Sequence, residues 1–240
     1  MLKTRRSLKS STPVCRALPF EVHGLTFEER TRFLGKAWDF SLRWPAPLHE
    51  QARIVFTDLA ETGSYPGLVA VADRELKARL LRQILQTYVQ TDVRELGRVR
   101  YPDRFEALIK VLAAQAGNLL QTTEIANTLR MARETVEEYL YLLEQTYVVR
   151  RVRPFFHNLR SELSKAPKIY FEDNGLLALS RGRSFAPLDG PLLENAVYTE
   201  LRKLKSVYPH FRCLVCGWEA PRNLPDGIDF CYPWELHHYL

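Results

Sequence analysis

The fold turns on two segments, Thr122-Thr-Glu-Ile-Ala-Asn-Thr-Leu129 and, after a short break, Arg133-Glu-Thr-Val-Glu-Glu-Tyr-Leu-Tyr-Leu-Leu-Glu-Gln145. Thr122 or Thr123 is placed to cap a short helix through Leu129, since a threonine hydroxyl can accept from an unpaired first-turn N–H. A turn of three to four residues leads to a second helix over about 132–145, with Val136, Leu140 and Leu143 along one side. Past residue 146 the period becomes strand-like: residues 147–153 and 168–172 alternate or run apolar, with a polar, proline-bearing loop between them.

Working upstream, Pro102 suits the first turn of a helix carrying Phe105, Leu108, Ile109, Leu112, Ala113 and Ala116, and Gly117 stops it. Asp73 caps a long helix to about residue 96, with Leu76, Leu80, Ile84, Leu85 and Tyr88 on one stripe. Gly63-Ser-Tyr-Pro-Gly67 is a turn, and a short helix or strand covers about 51–59. Thr26-Phe-Glu-Glu29 is a capping box opening a helix with Phe27, Phe33, Leu34, Ala37, Trp38 and Leu42 inward, ended by Trp44-Pro-Ala-Pro47.

Downstream, residues 181–190 read as a Gly, Ser and Pro-rich linker and 191–207 as an amphipathic helix. Residues 211–216 and 227–232 look like the arms of a hairpin. No internal repeat or low-complexity tract occurs. The class expected is α+β, helix-rich.

Helix, turn, helix, strand, loop, strand is the order of a winged helix, in which the second helix lies in the major groove. Its exposed surface here offers Arg130 and Arg133 against Glu134, Glu137, Glu138 and Glu144, a poor face to press against phosphates. The wing is the opposite. Arg150, Arg151, Arg153, Arg160, Lys165 and Lys168 stand against Glu162 alone, so weak, non-specific phosphate contact through the wing is the nucleic-acid expectation. A net charge of +6 agrees with an anionic partner without requiring one. The bland alternative is a winged helix that packs on protein.

Other chemistries fare worse. The only Gly-Lys pair, Gly35-Lys36, has Arg30 where the first P-loop glycine belongs and Ala37 where the hydroxyl belongs, so that phosphate cradle is absent. Ile54-Val-Phe-Thr-Asp58 and Ile169-Tyr-Phe-Glu-Asp173 imitate a strand ending in a metal-holding acid, but each reads better as a core strand with a solvated end. Cys213, Cys216, Cys231 and His237 or His238 supply four soft ligands in an order a zinc ribbon could use, though cysteines on apolar strands are more often core residues. His23, His49 and His157 are isolated, and no cofactor is expected. Sparse cysteines point to a reducing cytosol rather than a disulfide framework, and no apolar run nears the roughly 18 residues of a membrane span. The basic, acid-free first 18 residues imitate a transit peptide but read better as a strand-and-turn segment of a longer protein.

Several segments together resemble a large bacterial and archaeal group of AAA-type ATP-binding proteins. They are Leu18-Pro-Phe-Glu-Val-His-Gly-Leu-Thr-Phe-Glu-Glu29, Gly63-Ser-Tyr-Pro-Gly67, Asp92-Val-Arg-Glu-Leu96, residues 122–144, residues 167–178, and Leu192-Leu-Glu-Asn-Ala-Val-Tyr-Thr-Glu-Leu201. The resemblance implies a remnant of the ATPase core edge at 1–60, a helical lid at 61–102, a winged helix at 103–172, and a truncated segment at 173–240 similar to PD-(D/E)xK nucleases. With the P-loop half missing, it implies ancestry rather than ATP hydrolysis. In the nuclease-like segment Glu194 matches the helix acid and Asp229 the first strand acid, but Glu235-Leu-His237 has His where the family has Lys. The expectation is therefore a non-enzymatic, cytoplasmic binding or regulatory module. Its partner would be a protein covering the lid or, in the alternative, nucleic acid bound by a stand-alone winged helix.

Overall fold

The computed structural model describes residues 22–42, 44–88, 99, 101–154, 165–182, 187–205, 214–218 and 229–238. The chain is helix-rich and of the α+β class. The described elements run α1 (Phe27–Phe33), α2 (Ala46–Thr62), α3 (Pro66–Val69), α4 (Arg74–Thr87), α5 (Pro102–Ala114), α6 (Thr122–Leu129) and α7 (Arg133–Gln145). Then come β1 (Val149–Val152), β2 (Lys168–Phe171), α8 (Asn174–Ser180), α9 (Gly190–Lys205), β3 (Leu214–Cys216), β4 (Asp229–Cys231) and a 3-10 turn, Pro233–His238. No helix among the described residues is long and apolar enough to cross a membrane.

The central unit follows its sequence pattern closely. Pro102 opens α5, where a missing N–H costs nothing, and Gly117 ends the segment at φ +81°, a conformation a side chain would strain. Phe105, Leu108, Ile109, Leu112 and Ala113 of α5 bury against Ile125 of α6 and Val136, Tyr139, Leu140 and Leu143 of α7. β1 and β2 pair antiparallel, Val149 opposite Phe171 and Val152 opposite Lys168, and close the core with Val149, Ile169 and Phe171. Leu119 bridges to Lys168 on the outer edge of β2. The cap of α6 differs from expectation: its N-cap is Gln121, whose side chain makes no capping bond, and Thr122 is already helical.

A second core joins the N- and C-terminal parts. Phe27, Trp44, Val55, Phe56, Leu59, Ala196 and Trp234 bury together, with Trp38, Phe40, Trp218 and Tyr232 packed around them. Glu200 accepts the Phe27 N–H at 2.6 Å and Lys203 donates to the Leu25 carbonyl at 2.9 Å, so α9 holds the start of α1. Burial raises the pKa of Glu200, against the pull of Lys203.

Several expectations are corrected. The capping box at Thr26 and Glu29 forms, but α1 ends at Phe33 because Gly35 takes φ +72° and turns the chain. Phe33, Leu34, Ala37 and Leu42 are therefore exposed, while Trp38 reaches the aromatic core from the following loop. Residues 54–58 are not a strand. They lie within the 17-residue α2, begun rather than blocked by Pro45 and Pro47, with Ala52, Val55, Phe56, Leu59 and Ala60 at helical spacing. Asp58 at their end pairs with the buried Arg30. In α4, capped by Asp73 as read, Leu81 is buried and Leu76 is exposed, and its expected continuation beyond Tyr88 lies outside the described residues.

The acid closing residues 169–173 is buried, not solvated. Asp173 accepts from Ser64 N–H at 2.7 Å, Ser64 Oγ at 3.0 Å, Gly175 N–H at 2.8 Å and Leu176 N–H at 3.2 Å, so it caps α8 and ties it to the 63–64 turn. β3 and β4 pair in parallel, Leu214 opposite Asp229, and so are not the arms of a hairpin, which must run antiparallel.

Candidate nucleic-acid interface

A strand turns successive side chains to opposite faces, and this rule divides the basic ribbon in two. Arg150 faces α9: its Nε meets Glu172 Oε1 at 3.1 Å, and Glu172 Oε2 lies 3.0 Å from Arg202 Nε as an ion pair. Lys168 and Tyr170, two residues apart on the same side, both reach Glu194 of α9, at 2.9 and 2.6 Å. Arg151 faces the other way, toward Glu137 and Glu144 of α7, and Arg153, just past the strand, lines the same side.

On that side lies an open cleft of about 720 Å³ between the start of α6, the exposed side of α7 and the ribbon. Its walls carry Gln121, Thr122 and Thr123 from α6, Arg133, Glu137 and Glu144 from α7, and Arg151, Arg153 and Lys165 from the ribbon. Among the described residues, four cations stand against two carboxylates there. The start of α6 contributes the positive end of its backbone dipole; it has no side-chain cap, though Glu124 stands in its first turn. The two acids are not idle. Glu144 takes Arg151 Nε at 3.0 Å, Nη2 at 2.7 Å and the Arg151 backbone N–H at 2.9 Å, while Glu137 takes Nη1 at 2.7 Å. Burial works against the Arg151 charge, yet Glu144 and then Glu137 outweigh it and hold its pKa above the usual arginine value.

The structure thus brings together Arg133, Arg151, Arg153 and Lys165 of the residues expected to meet nucleic acid. Arg150 and Lys168 belong to the opposite face, so the basic run 150–153 is not one surface. Arg130 sits at the α6 end with φ +50°, its carbonyl accepting from Arg104 Nη1 at 2.8 Å. Arg160 lies outside the described residues. Thr122 and Thr123 were legible only as a helix start, Gln121 carried no signal, and Glu137 and Glu144 were legible only as repulsive charge.

Of the nuclease-like pair, Glu194 is occupied by Lys168 and Tyr170 beside Gly117; burial would raise its pKa, but those two donors hold it below the usual value. Asp229 opens β4, and its side chain lies outside the described residues. Of the zinc set, Cys216 and Cys231 are partners across the parallel strands, and Cys213 lies outside the described residues. A thiol–thiol hydrogen bond with Cys231, and then burial, push the Cys216 thiol up. His237 packs on Phe40, Trp44 and His238, with its pKa lowered to about 3 by burial and then by His238. No three His, Cys, Asp or Glu side chains among the described residues form a metal-holding group.

Three curated relatives are similar to this chain. An uncharacterized protein of Haemophilus influenzae is 28% identical over 159 residues, covering 63% of this chain and 39% of that protein. An uncharacterized protein of Mycobacterium tuberculosis is 32% identical over 116 residues, 48% of this chain and 26% of that one. One from Methanocaldococcus jannaschii is 25% identical over 195 residues, 78% of this chain and 42% of that one. The chain thus spans about two fifths or less of the length of these relatives. No solved structure matches. Residues 54–185, more than half of the chain and including the whole cleft, match the model of a domain of unknown function (DUF8612), and the chain belongs to that family.

Proposed function

We propose that residues 103–172 are a winged helix serving as a binding module, and that the cleft beside its ribbon takes the sugar-phosphate backbone of nucleic acid. The carrying observation is the cleft itself: Arg133, Arg151, Arg153 and Lys165 converge on one concave surface at the uncapped start of α6. Backbone contact of this kind positions a duplex without reading its sequence, and its free energy comes largely from released counterions. The exposed acids Glu134 and Glu138 on α7 speak against that helix entering a groove for base recognition. The resemblance to the C-terminal portion of AAA-type proteins supports a module that acts beside a nucleotide-binding core and turns over no ATP itself.

A second reading is favoured by one observation: Phe33, Leu34 and Leu42 stand 53, 44 and 60% exposed around the end of α1. In that reading the module packs on a protein partner, and the acids of α7 are part of its docking face.

A salt titration of a fluorescent duplex separates the two. Replacing Arg133, Arg153 and Lys165 with alanine removes three phosphate contacts and is expected to flatten the log affinity–log salt slope by roughly 2.7. The parent's slope and affinity in the triple variant would overturn the nucleic-acid reading in favour of the protein-packing one.

A further inference from the structure

We infer that Glu137 and Glu144 are a built-in competitor for the phosphodiester, holding Arg151 in the place where a backbone phosphate would otherwise take it. This rests on the reading of the cleft as a phosphate site and goes beyond it to how the site is regulated. A guanidinium presents parallel N–H donors that fit a carboxylate and a phosphate alike. Glu144 engages both donors of that edge through a single oxygen, Oε2, with Nε at 3.0 Å and Nη2 at 2.7 Å, and Glu137 takes Nη1 at 2.7 Å. Arg151 is thereby held from two sides by acids that line the same cleft.

The clamp is built to be opened rather than to stabilise a core. The Arg151, Glu137 and Glu144 side chains are 27, 41 and 17% exposed, so water reaches each group and exchange for an incoming anion needs no unfolding. Glu144 also accepts the Arg151 backbone N–H at 2.9 Å, which fixes its carboxylate at the ribbon edge whether or not the guanidinium stays. Phosphate therefore binds by displacement. Each duplex contact at Arg151 must break a carboxylate pair first, which keeps the cleft weak until those charges are removed or neutralised by a partner's cations.

The test uses the full chain and a fluorescent duplex at low salt. Glu137→Gln with Glu144→Gln keeps the side-chain size and removes the charge, and it leaves Glu144 one acceptor where the carboxylate offers two. It is expected to tighten binding about tenfold, the worth of one charge-assisted contact, and to steepen the salt slope by roughly 0.9. Glu134→Gln with Glu138→Gln on the same helix makes the same change in charge without touching Arg151, and is expected to gain far less. Adding Arg151→Ala to the first pair is expected to abolish the extra gain and the steeper slope. Glu137→Gln alone, at the more exposed carboxylate, gives a smaller gain of the same kind and serves if the double variant loses its thermal unfolding transition. A gain equal to that of the control pair, or one that survives the loss of Arg151, overturns the competitor while leaving the phosphate cleft intact. Absence of duplex binding by the parent and every variant overturns both.

Discussion

Asp173→Ala is expected to cost about 3–5 kcal/mol of unfolding free energy, because one buried carboxylate satisfies four donors from two distant parts of the chain. Two of those donors are first-turn N–H groups of α8, whose cap would be lost. The others are the N–H and hydroxyl of Ser64, both left unpaired in a site where Asp173 is 4% exposed and Ser64 is 4% exposed. The neighbours leave little room for repair. Gly63 has φ +84°, and a Cβ there would collide with the Asp173 carboxylate; Arg30, 1% exposed, donates to the Gly63 carbonyl at 3.0 Å. Urea unfolding measures the loss. A shift below about 1 kcal/mol, the net worth of a single ordinary hydrogen bond, would show that this junction does not hold α8 to the 63–64 turn.

Trp234→Ala is expected to lose about 3–5 kcal/mol, the usual cost of truncating a buried aromatic side chain. Trp234 is 2% exposed, lies flat on Tyr232 at 5.0 Å between ring centres, and meets Trp218 and Phe56 at 5.4 and 6.3 Å. Its Nε1–H donates to His49 Nδ1 at 3.1 Å, and Glu235 lies 3.5 Å from the other nitrogen of that ring. Through these contacts the 3-10 turn is fastened to α2. The effect should be local: hydrogen exchange of residues 234–238 accelerates strongly while amides in α5 and α7 keep their protection. Trp234→Phe retains most of the apolar area and should recover much of the loss. Unchanged protection at 234–238 in the alanine variant would mean that the C-terminal turn is held by something other than this cluster.

The central helices were legible because their signals are local. Pro102 at a helix start, Gly117 at an end and the apolar spacing of Phe105 to Ala116 fix α5 without knowledge of any partner. Two other helices were misjudged by the same kind of signal. Trp38 and Leu42 continue the helical period of α1, but a left-handed Gly35 turns the chain before either is reached. Pro45 and Pro47 read as a stop, whereas the N-cap and first turn tolerate proline, and α2 begins there. Parallel pairing of β3 with β4 was hidden because strand direction is set by the rest of the fold, not by either strand.

The candidate site was legible in composition and not in geometry. A basic ribbon and an acidic helix were visible as charges, yet which cation meets which acid depends on the register that puts Arg151 beside α7 and Arg150 beside α9. Glu137 and Glu144 therefore looked like repulsion at a surface, when they are partners of the arginine they oppose. The buried role of Asp173 was equally hidden: its four donors come from residues 64, 175 and 176, and the sequence alone does not bring Ser64 to it.

The most direct measurement of the central claim is amide mapping by NMR as a short duplex is titrated into the isotopically labelled chain at low salt. The expected result is a set of shift changes confined to the cleft, at Gln121, Thr122 and Thr123, at Arg133, and along residues 151–153 and 165–166, all reversed by added salt. Amides around Trp44 and Trp234 should not move. Shifts centred instead on Phe33 and Leu34, or no salt-reversible shifts at the start of α6, would contradict a phosphate-binding cleft.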